Sequence, residues 1–374
     1  MKIDLLITEI HTGGAERCCT QLAIYLQRRN HDVRLISIAP PPTGPTEELL
    51  WKELQKHRIP VEFLNASKST QLLAARGQLL RLIRHRKPDI AQTFLWHANL
   101  LGAWCYSPSK VPVVAGARVA EPRRWRNAVA WTWRNRVEKV VCVSDEIASW
   151  EAQQEGFPPE KLLVIPNGIE LPELWKGAVS PSGGERPSEK ILLFVGRLET
   201  QKGIDILLER APAILQALPE HRLAIIGQGT WTNAWQQWLG QSPLAARVEL
   251  LGRRSDVLDW MRRSRLLLLP TRYEGMPNVV LEAMAVGLPV ATMQVEGIGQ
   301  LLGDSYQEQS VAAGDWNAWE RLTVQLASDQ KSLERLGREN RKRVETHFQL
   351  EEQMRKYELL YSEILGRLSK ERGT

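Results

Sequence analysis

The sequence predicts an α/β chain with two doubly wound parallel sheets. Short apolar runs alternate with helical patterns through the first half, and strands that alternate with helices pair in parallel and are covered on both faces. The alternation stops at "ELWKGAVSPSGGERPSEK", 173–190, a Pro-, Gly- and Ser-rich stretch without periodicity that reads as a linker. It then restarts. At 374 residues the chain is too long for one ordinary core, so two domains are expected.

Taken in order, the first half offers "KIDLLIT" as a strand, "AERCCTQLAIYLQRRN" as an amphipathic helix and "DVRLISIA" as a second strand, then the strands "DIAQTF", "VPVVAGA", "KVVCVS" and "KLLVIPNG". The second half offers "ILLFVG", "RLAIIG", "RVELLG", "RLLLLP" and "LPVATM". From about 315 the chain becomes helical and charged, ending in a long helix expected to pack across the domain junction.

Composition excludes several classes. Apolar residues make up 43% and charged residues 25%, a globular balance. No apolar run approaches the roughly 20 residues of a membrane span, and the opening "MKIDLLITEI" enters a strand with no signal-peptide organisation. Cys18, Cys19, Cys105 and Cys142 show no metal-ligand spacing, so reduced thiols in a cytoplasmic protein are expected. Net charge is +6; the first 172 residues hold 23 Lys or Arg against 17 Asp or Glu, which is the whole excess. A basic half suits nucleic acid, an anionic membrane or a phosphorylated substrate. The excess is modest and no nucleic-acid motif accompanies it, so nucleic acid is not expected.

In open parallel sheets ligands sit beyond the carboxyl ends of the strands. Gly13 and Gly14 follow the first strand in "EIHTGGAER", where glycines let backbone N–H groups and a helix dipole approach an anion. A plain strand-to-helix turn explains them equally well, and their spacing is not that of a dinucleotide fingerprint. Arg197 and Lys202 follow "ILLFVG": a planar fork and a compact charge at one strand end suit a diphosphate, where either alone would read as a solvated loop cation. In "TRYEGMPNVVLEAMAVGLPV" Glu282 is the only charged residue from Gly275 to Val290, on a helix that looks apolar all round. Pro277 fits its first turn and Gly287 its C′ cap. Glu282 leans toward Asn278 and Val279, where acceptor-only oxygens suit the hydroxyls of a ribose, unless it pairs with a core arginine. Glu274 lies in the loop before, nearer to a projecting sugar.

These residues carry a family resemblance. Glu274 and Glu282 form the E-x7-E pattern of family 4 glycosyltransferases, retaining enzymes with the GT-B fold. "VGRLETQKG", "IIGQGT", "VIPNGIEL" and "TGGAER" resemble further segments of that family, in its order, along nearly the whole chain. The resemblance implies two Rossmann-like domains facing a cleft. Residues 1–175 would bind the acceptor, with the C-terminal helix, about 352–374, crossing back to them; residues 188–350 would bind the nucleotide-sugar. It implies that Arg197 and Lys202 hold the diphosphate, Glu282 the ribose and Glu274 the transferred sugar. Gly275, Met276, Pro277, Asn278 and Val279 would surround sugar and phosphate, Gly14 would approach from the first domain, Gly227 would lie at the second glycine turn, and Arg253 would lie near the base. No Asp-x-Asp is present, so no metal cofactor is expected; fixed cations and helix N-termini would stabilise the leaving group instead.

One departure is visible. Where many members carry a histidine after the strand "VPVVAGA", this chain has Arg118. Arginine cannot act as a base, but it suits an anionic acceptor or the donor phosphate. His97 in "FLWHANLLG" is a second candidate at the cleft; a packed or helix-capping histidine reads equally well. "EPRRWRNAVAWTWRNRVEK", 121–139, places Arg123, Arg124, Trp125, Arg126 and Trp133 on what reads as an amphipathic helix, with Trp125, Val129 and Trp133 as one stripe. Such a helix docks on an anionic membrane surface or an acceptor, or packs on its own sheet.

The expected activity is therefore a metal-independent, retaining sugar transfer of the hexosyltransferase type. The donor is a nucleotide-sugar, UDP-linked by family frequency, and the acceptor a glycan or lipid-linked molecule in cell-surface polysaccharide or glycolipid synthesis. The expected place is cytoplasmic, peripheral on the inner face of the cytoplasmic membrane. The rivals are a non-catalytic nucleotide- or glycan-binding homologue and another GT-B activity such as a sugar-nucleotide epimerase.

Overall fold

A computed structural model describes residues 1–11, 13–44, 48–68, 71–120, 129–171 and 189–373. Arg123, Arg124, Trp125 and Arg126 lie outside the described residues, as does most of the linker. The chain divides into two compact units, Met1–Asn167 with Glu351–Thr374, and Gly168–Leu350.

The first unit runs β1 (Lys2–Ile7), α1 (Gly14–Arg28), β2 (Asp32–Ser37), α2 (Leu49–Lys56), β3 (Val61–Phe63), α3 (Leu72–Arg86), β4 (Ile90–Phe94), α4 (Trp96–Tyr106), β5 (Val113–Ala117), β6 (Lys139–Cys142), α5 (Asp145–Trp150) and β7 (Leu162–Val164). The strands form a sheet in the order β3-β2-β1-β4-β5-β6-β7. Every pairing is parallel, with Ile3 opposite Val33 on one side and Ile90 on the other. β1 is buried from Ile3 to Ile7 and β4 throughout, as expected for strands covered on both faces. The chain moves one way from β1 to β3 and the other way from β4 to β7. Crossovers of one hand therefore place α1 and α2 on one face and α3 and α4 on the other.

The second unit runs β8 (Ile191–Val195), α6 (Ile204–Ala217), β9 (Arg222–Ile226), α7 (Thr232–Gln241), β10 (Val248–Gly252), α8 (Val257–Arg263), β11 (Leu266–Leu269), α9 (Asn278–Ala285), β12 (Val290–Gln294), α10 (Ile298–Leu302), α11 (Tyr306–Gln309), β13 (Ser310–Ala312), α12 (Trp316–Ser328) and α13 (Gln330–His347). Its sheet order is β10-β9-β8-β11-β12-β13, again parallel, with Leu192 opposite Leu266. Leu192, Phe194, Leu207, Trp235 and Trp319 anchor its core. Trp319 also donates its indole N–H to Ala291 O at 3.0 Å, so its one polar atom is satisfied.

The last helix, α14 (Leu350–Gly373), packs on the first unit. Tyr361 donates to Gln92 Oε1 at 3.1 Å, and Glu358 accepts from Tyr25 at 3.2 Å and meets His31 Nε2 at 2.9 Å. In each sheet the order reverses beside the first strand, between β1 and β4 and between β8 and β11. These are the crevices where an open α/β sheet receives its ligand.

Candidate active site

The second unit's crevice is built from the loops after β8 and β11. The loop after β8 closes on its neighbour: Gly196 N donates to Ile226 O at 3.0 Å and Leu198 N to Gln228 O at 3.0 Å. Gly227 has φ +145, and a Cβ there would fall 1.8 Å from Gly196 O, so only glycine permits this approach. Thr200–Lys202 form a single tight turn, followed by Gly203 at φ +70. A Cβ on Gly203 would lie 1.7 Å from Pro270 O, which seats the turn against the end of β11.

The two loops are then bound together. Arg272 N donates to Gln201 O at 2.9 Å and Gln201 Nε2 to Tyr273 O at 3.0 Å. Arg272 forks onto both carboxylate oxygens of Asp205, at 2.8 and 2.7 Å, a geometry lysine cannot supply. Lys202 Nζ donates to Glu274 Oε1 at 2.5 Å, and the Thr271 hydroxyl lies 2.9 Å from the same oxygen. Glu274 is buried and Lys202 nearly so, with side chains 7% and 16% exposed. Arg197 is exposed and donates to Gln201 Oε1 at 3.1 Å.

The helix after this loop differs from expectation in one respect. It is not buried all round. Val280, Leu281, Ala283, Met284 and Ala285 are buried, whereas Asn278, Val279 and Glu282 are half-buried and share one face. The carboxylate therefore sits on the open side of α9. Gly275, Met276 and Pro277 are buried beneath it. Gly287, at φ +71, ends the helix: its N–H reaches Met284 O at 2.9 Å and Leu288 N reaches Ala283 O at 2.8 Å. Arg253 is exposed beyond β10.

In the first unit, Gly13 caps α1 in extended conformation. The Glu16 carboxylate folds against it: a Cβ on Gly13 would lie 2.2 Å from Glu16 Oε2. The start of α1 thus already faces an anion of its own chain. At the end of β4, Leu95 adopts φ 73 and ψ 156, a conformation costly for a side-chain-bearing residue. Asn99 holds this elbow, accepting from the Thr93 hydroxyl at 2.7 Å and donating to Gly116 O at 3.0 Å. Exposed His97 is the second residue of the helix that follows, its ring edge-on to Trp96.

Two expectations are corrected. Arg118 does not present a free guanidinium. It is buried, donating to Asn167 Oδ1 at 2.8 Å, Cys18 Sγ at 2.8 Å and Tyr357 Oη at 3.3 Å, with its Cζ 5.3 Å from the centre of the Phe94 ring. Its bonds to Cys18 and Tyr357 tie the end of β5 to α1 and α14. Trp133 is also core: it is 1% exposed and packs at 5.0 Å on Phe157. The chain turns at 131–133 and continues as a short 3₁₀ turn, Arg134–Arg136, so the helical stripe expected through Trp133 is not formed. Gln201, Thr271, Arg272 and Asp205 are site-building residues that the motifs did not mark, because their role lies in joining two loops 70 positions apart.

The chain matches two family models in succession: "Glycosyltransferase Family 4" over residues 12–173 and "Glycosyl transferases group 1" over residues 178–343. It is a GT-B glycosyltransferase of group 1, family 4. This glycosyltransferase is 24% identical over 370 residues to the UDP-Gal:alpha-D-GlcNAc-diphosphoundecaprenol alpha-1,3-galactosyltransferase of Escherichia coli, with 94% of each chain covered. It is 27% identical to the glycogen synthase of Mycobacterium tuberculosis, covering 90% of this chain and 87% of that one. Its fold matches that of Anabaena Alr3699/HepE in complex with UDP and glucose, with a TM-score of 0.80 at 19% identity over 97% of this chain and all of the other.

Proposed function

We propose that this glycosyltransferase moves a sugar from a UDP-sugar to a hydroxyl of a glycan or lipid-linked acceptor in cell-surface polysaccharide or glycolipid synthesis, with retention and without a metal ion. The observation that carries this reading is the meeting of Lys202 with Glu274 at 2.5 Å. It joins the two loops that the crevice requires, and gives one cation and one carboxylate fixed beside the half-buried face of Asn278, Val279 and Glu282. In this reading Arg197 and Lys202 take the diphosphate, Glu282 the ribose hydroxyls and Glu274 the sugar. Gly275 to Val279 line sugar and phosphate, and Gly227 and Arg253 flank the base. When the donor arrives, Lys202 shares its charge between Glu274 and phosphate oxygens, stabilising the departing UDP. His97, on its strained elbow, is the first unit's candidate for contact with acceptor or sugar.

Both acceptor classes have a relative behind them, the diphosphoundecaprenol-linked sugar named for the galactosyltransferase and the glycan of the synthase. Among the described residues no helix is long and apolar enough to cross a membrane. For peripheral contact at the inner face of a membrane, α3 is the described surface that fits. It has no acidic residue, its Arg76, Arg81 and Arg84 are exposed, and Leu73 is 82% exposed. Such a helix suits an anionic interface.

The test is product analysis by NMR with UDP-glucose, UDP-galactose and UDP-N-acetylglucosamine, with and without EDTA. Transfer to an added glycan or undecaprenyl-linked acceptor with an unchanged anomeric configuration supports the reading. Epimerised nucleotide-sugar, or nucleotide binding with no sugar ever released, favours the rivals.

A further inference from the structure

The turn after β12 reaches back to the Glu274 loop, and nothing in the E-x7-E pattern anticipates it. β12 ends at Gln294, and the chain reverses through Val295, Glu296 and Gly297 into α10. Gly297 takes φ +75 and presses on the loop: a Cβ there would lie 2.3 Å from Gly275 O and 2.8 Å from Met276 Cα. The half-buried Glu296 turns its carboxylate inward, and Oε2 accepts the backbone N–H of Glu274 at 3.2 Å. Among the described residues Glu296 makes no ion pair; its partner is this amide.

Glu274 is thereby fixed at both ends. Its carboxylate is held by Lys202 and Thr271, and its backbone by Glu296. A carboxylate accepting from a backbone N–H makes a charge-assisted bond, stronger than a neutral one. A sub-ångström shift of a reacting group costs rate far more than affinity.

We propose that Glu296 is a positioning residue that sets the Glu274 loop for turnover. The proposal rests on the reading of Glu274 as the sugar-facing carboxylate. In that same reading the UDP grip runs through Arg197 and Lys202 on the loop after β8 and Glu282 on α9, whereas Glu296 bonds the Glu274 backbone, so its loss falls on the sugar step more than on UDP affinity.

The experiment measures donor hydrolysis, with whichever of UDP-glucose, UDP-galactose and UDP-N-acetylglucosamine wild-type protein turns over, alongside UDP affinity by calorimetry. Glu296→Ala is expected to lower kcat about tenfold with UDP affinity changed less than about twofold. Glu296→Gln, which keeps an acceptor oxygen, is expected to recover most of the rate. In a Glu274→Ala background, Glu296→Ala is expected to cost nothing further, because the group it positions is gone. If wild-type protein turns over but Glu296→Ala retains full kcat, or the two losses multiply, the positioning role is wrong. A fall in UDP affinity matching the fall in kcat contradicts it as well. Absence of wild-type turnover with all three donors overturns the reading of a UDP-sugar donor at this site, and this role with it.

Discussion

Lys202 and Glu274, 72 positions apart, meet at 2.5 Å where the loops after β8 and β11 close on each other. The pair unites two features that the sequence presents as separate, a cation set for a diphosphate and a carboxylate for a sugar. Lys202→Met leaves a buried carboxylate without its cation, which destabilises the fold and lowers UDP affinity roughly tenfold or more. Adding Glu274→Gln is expected to restore the melting temperature but not the affinity. Calorimetry and thermal melting on both variants check this, and recovery of UDP binding in the double variant contradicts the diphosphate role.

Arg118 belongs to the architecture of the first unit. Arg118→Met removes buried hydrogen bonds to Asn167, Tyr357 and Cys18. It is expected to cost about 2–4 kcal/mol of stability while UDP affinity stays within about twofold. Denaturant unfolding and calorimetry read the two effects. A loss of binding or turnover in a variant of wild-type stability returns Arg118 to the site.

The basic surface and the buried tryptophan separate in the same way. Trp133→Ala removes a core ring and is expected to cost about 3–5 kcal/mol, read by denaturant unfolding. The triple change Arg76→Gln, Arg81→Gln and Arg84→Gln is expected to leave the melting temperature unchanged. It should lower co-sedimentation with vesicles containing phosphatidylglycerol, at about 1 kcal/mol for each cation lost. Undiminished vesicle binding by the triple variant removes α3 from the reading.

His221 gives the second unit a defined acid sensitivity. Burial, aided by Arg265 and Lys190, pushes its imidazole down to about 4, against about 6.5 in an unfolded chain. The unfolded chain therefore binds a proton that the folded one refuses. The contribution is whole above about pH 6.5 and is lost as pH falls toward 4. Urea midpoints at pH 7.5 and 5.0 are expected to differ less in His221→Phe than in the wild-type protein. An equal difference places the acid sensitivity elsewhere.

Much of this was legible in the residues. Continuous apolar runs such as "LLLLP" can satisfy themselves only inside a covered parallel sheet, and glycines at 227 and 287 mark places where the backbone takes a positive φ that favours glycine. Glu274 and Glu282 were legible as a pair because their spacing brackets a helix start. What escaped has a common cause. Arg118 and Trp133 read as functional because charge and aromatic content are visible in sequence, whereas burial is set by partners such as Tyr357 and Phe157 that lie far along the chain. Gln201, Thr271 and Glu296 escaped for the converse reason. Each is an ordinary loop residue until the fold brings its partner within 3.2 Å.

In the proposed function the face of α9 carrying Glu282, beside Lys202 and Glu274, holds a nucleotide diphosphate-sugar. Calorimetric titration of UDP into wild-type protein and Glu282→Ala tests it most directly. Wild-type protein is expected to bind UDP, with affinity weakened at least tenfold in the variant and an unchanged melting temperature in the absence of ligand. Equal UDP affinity in a folded Glu282→Ala variant contradicts it.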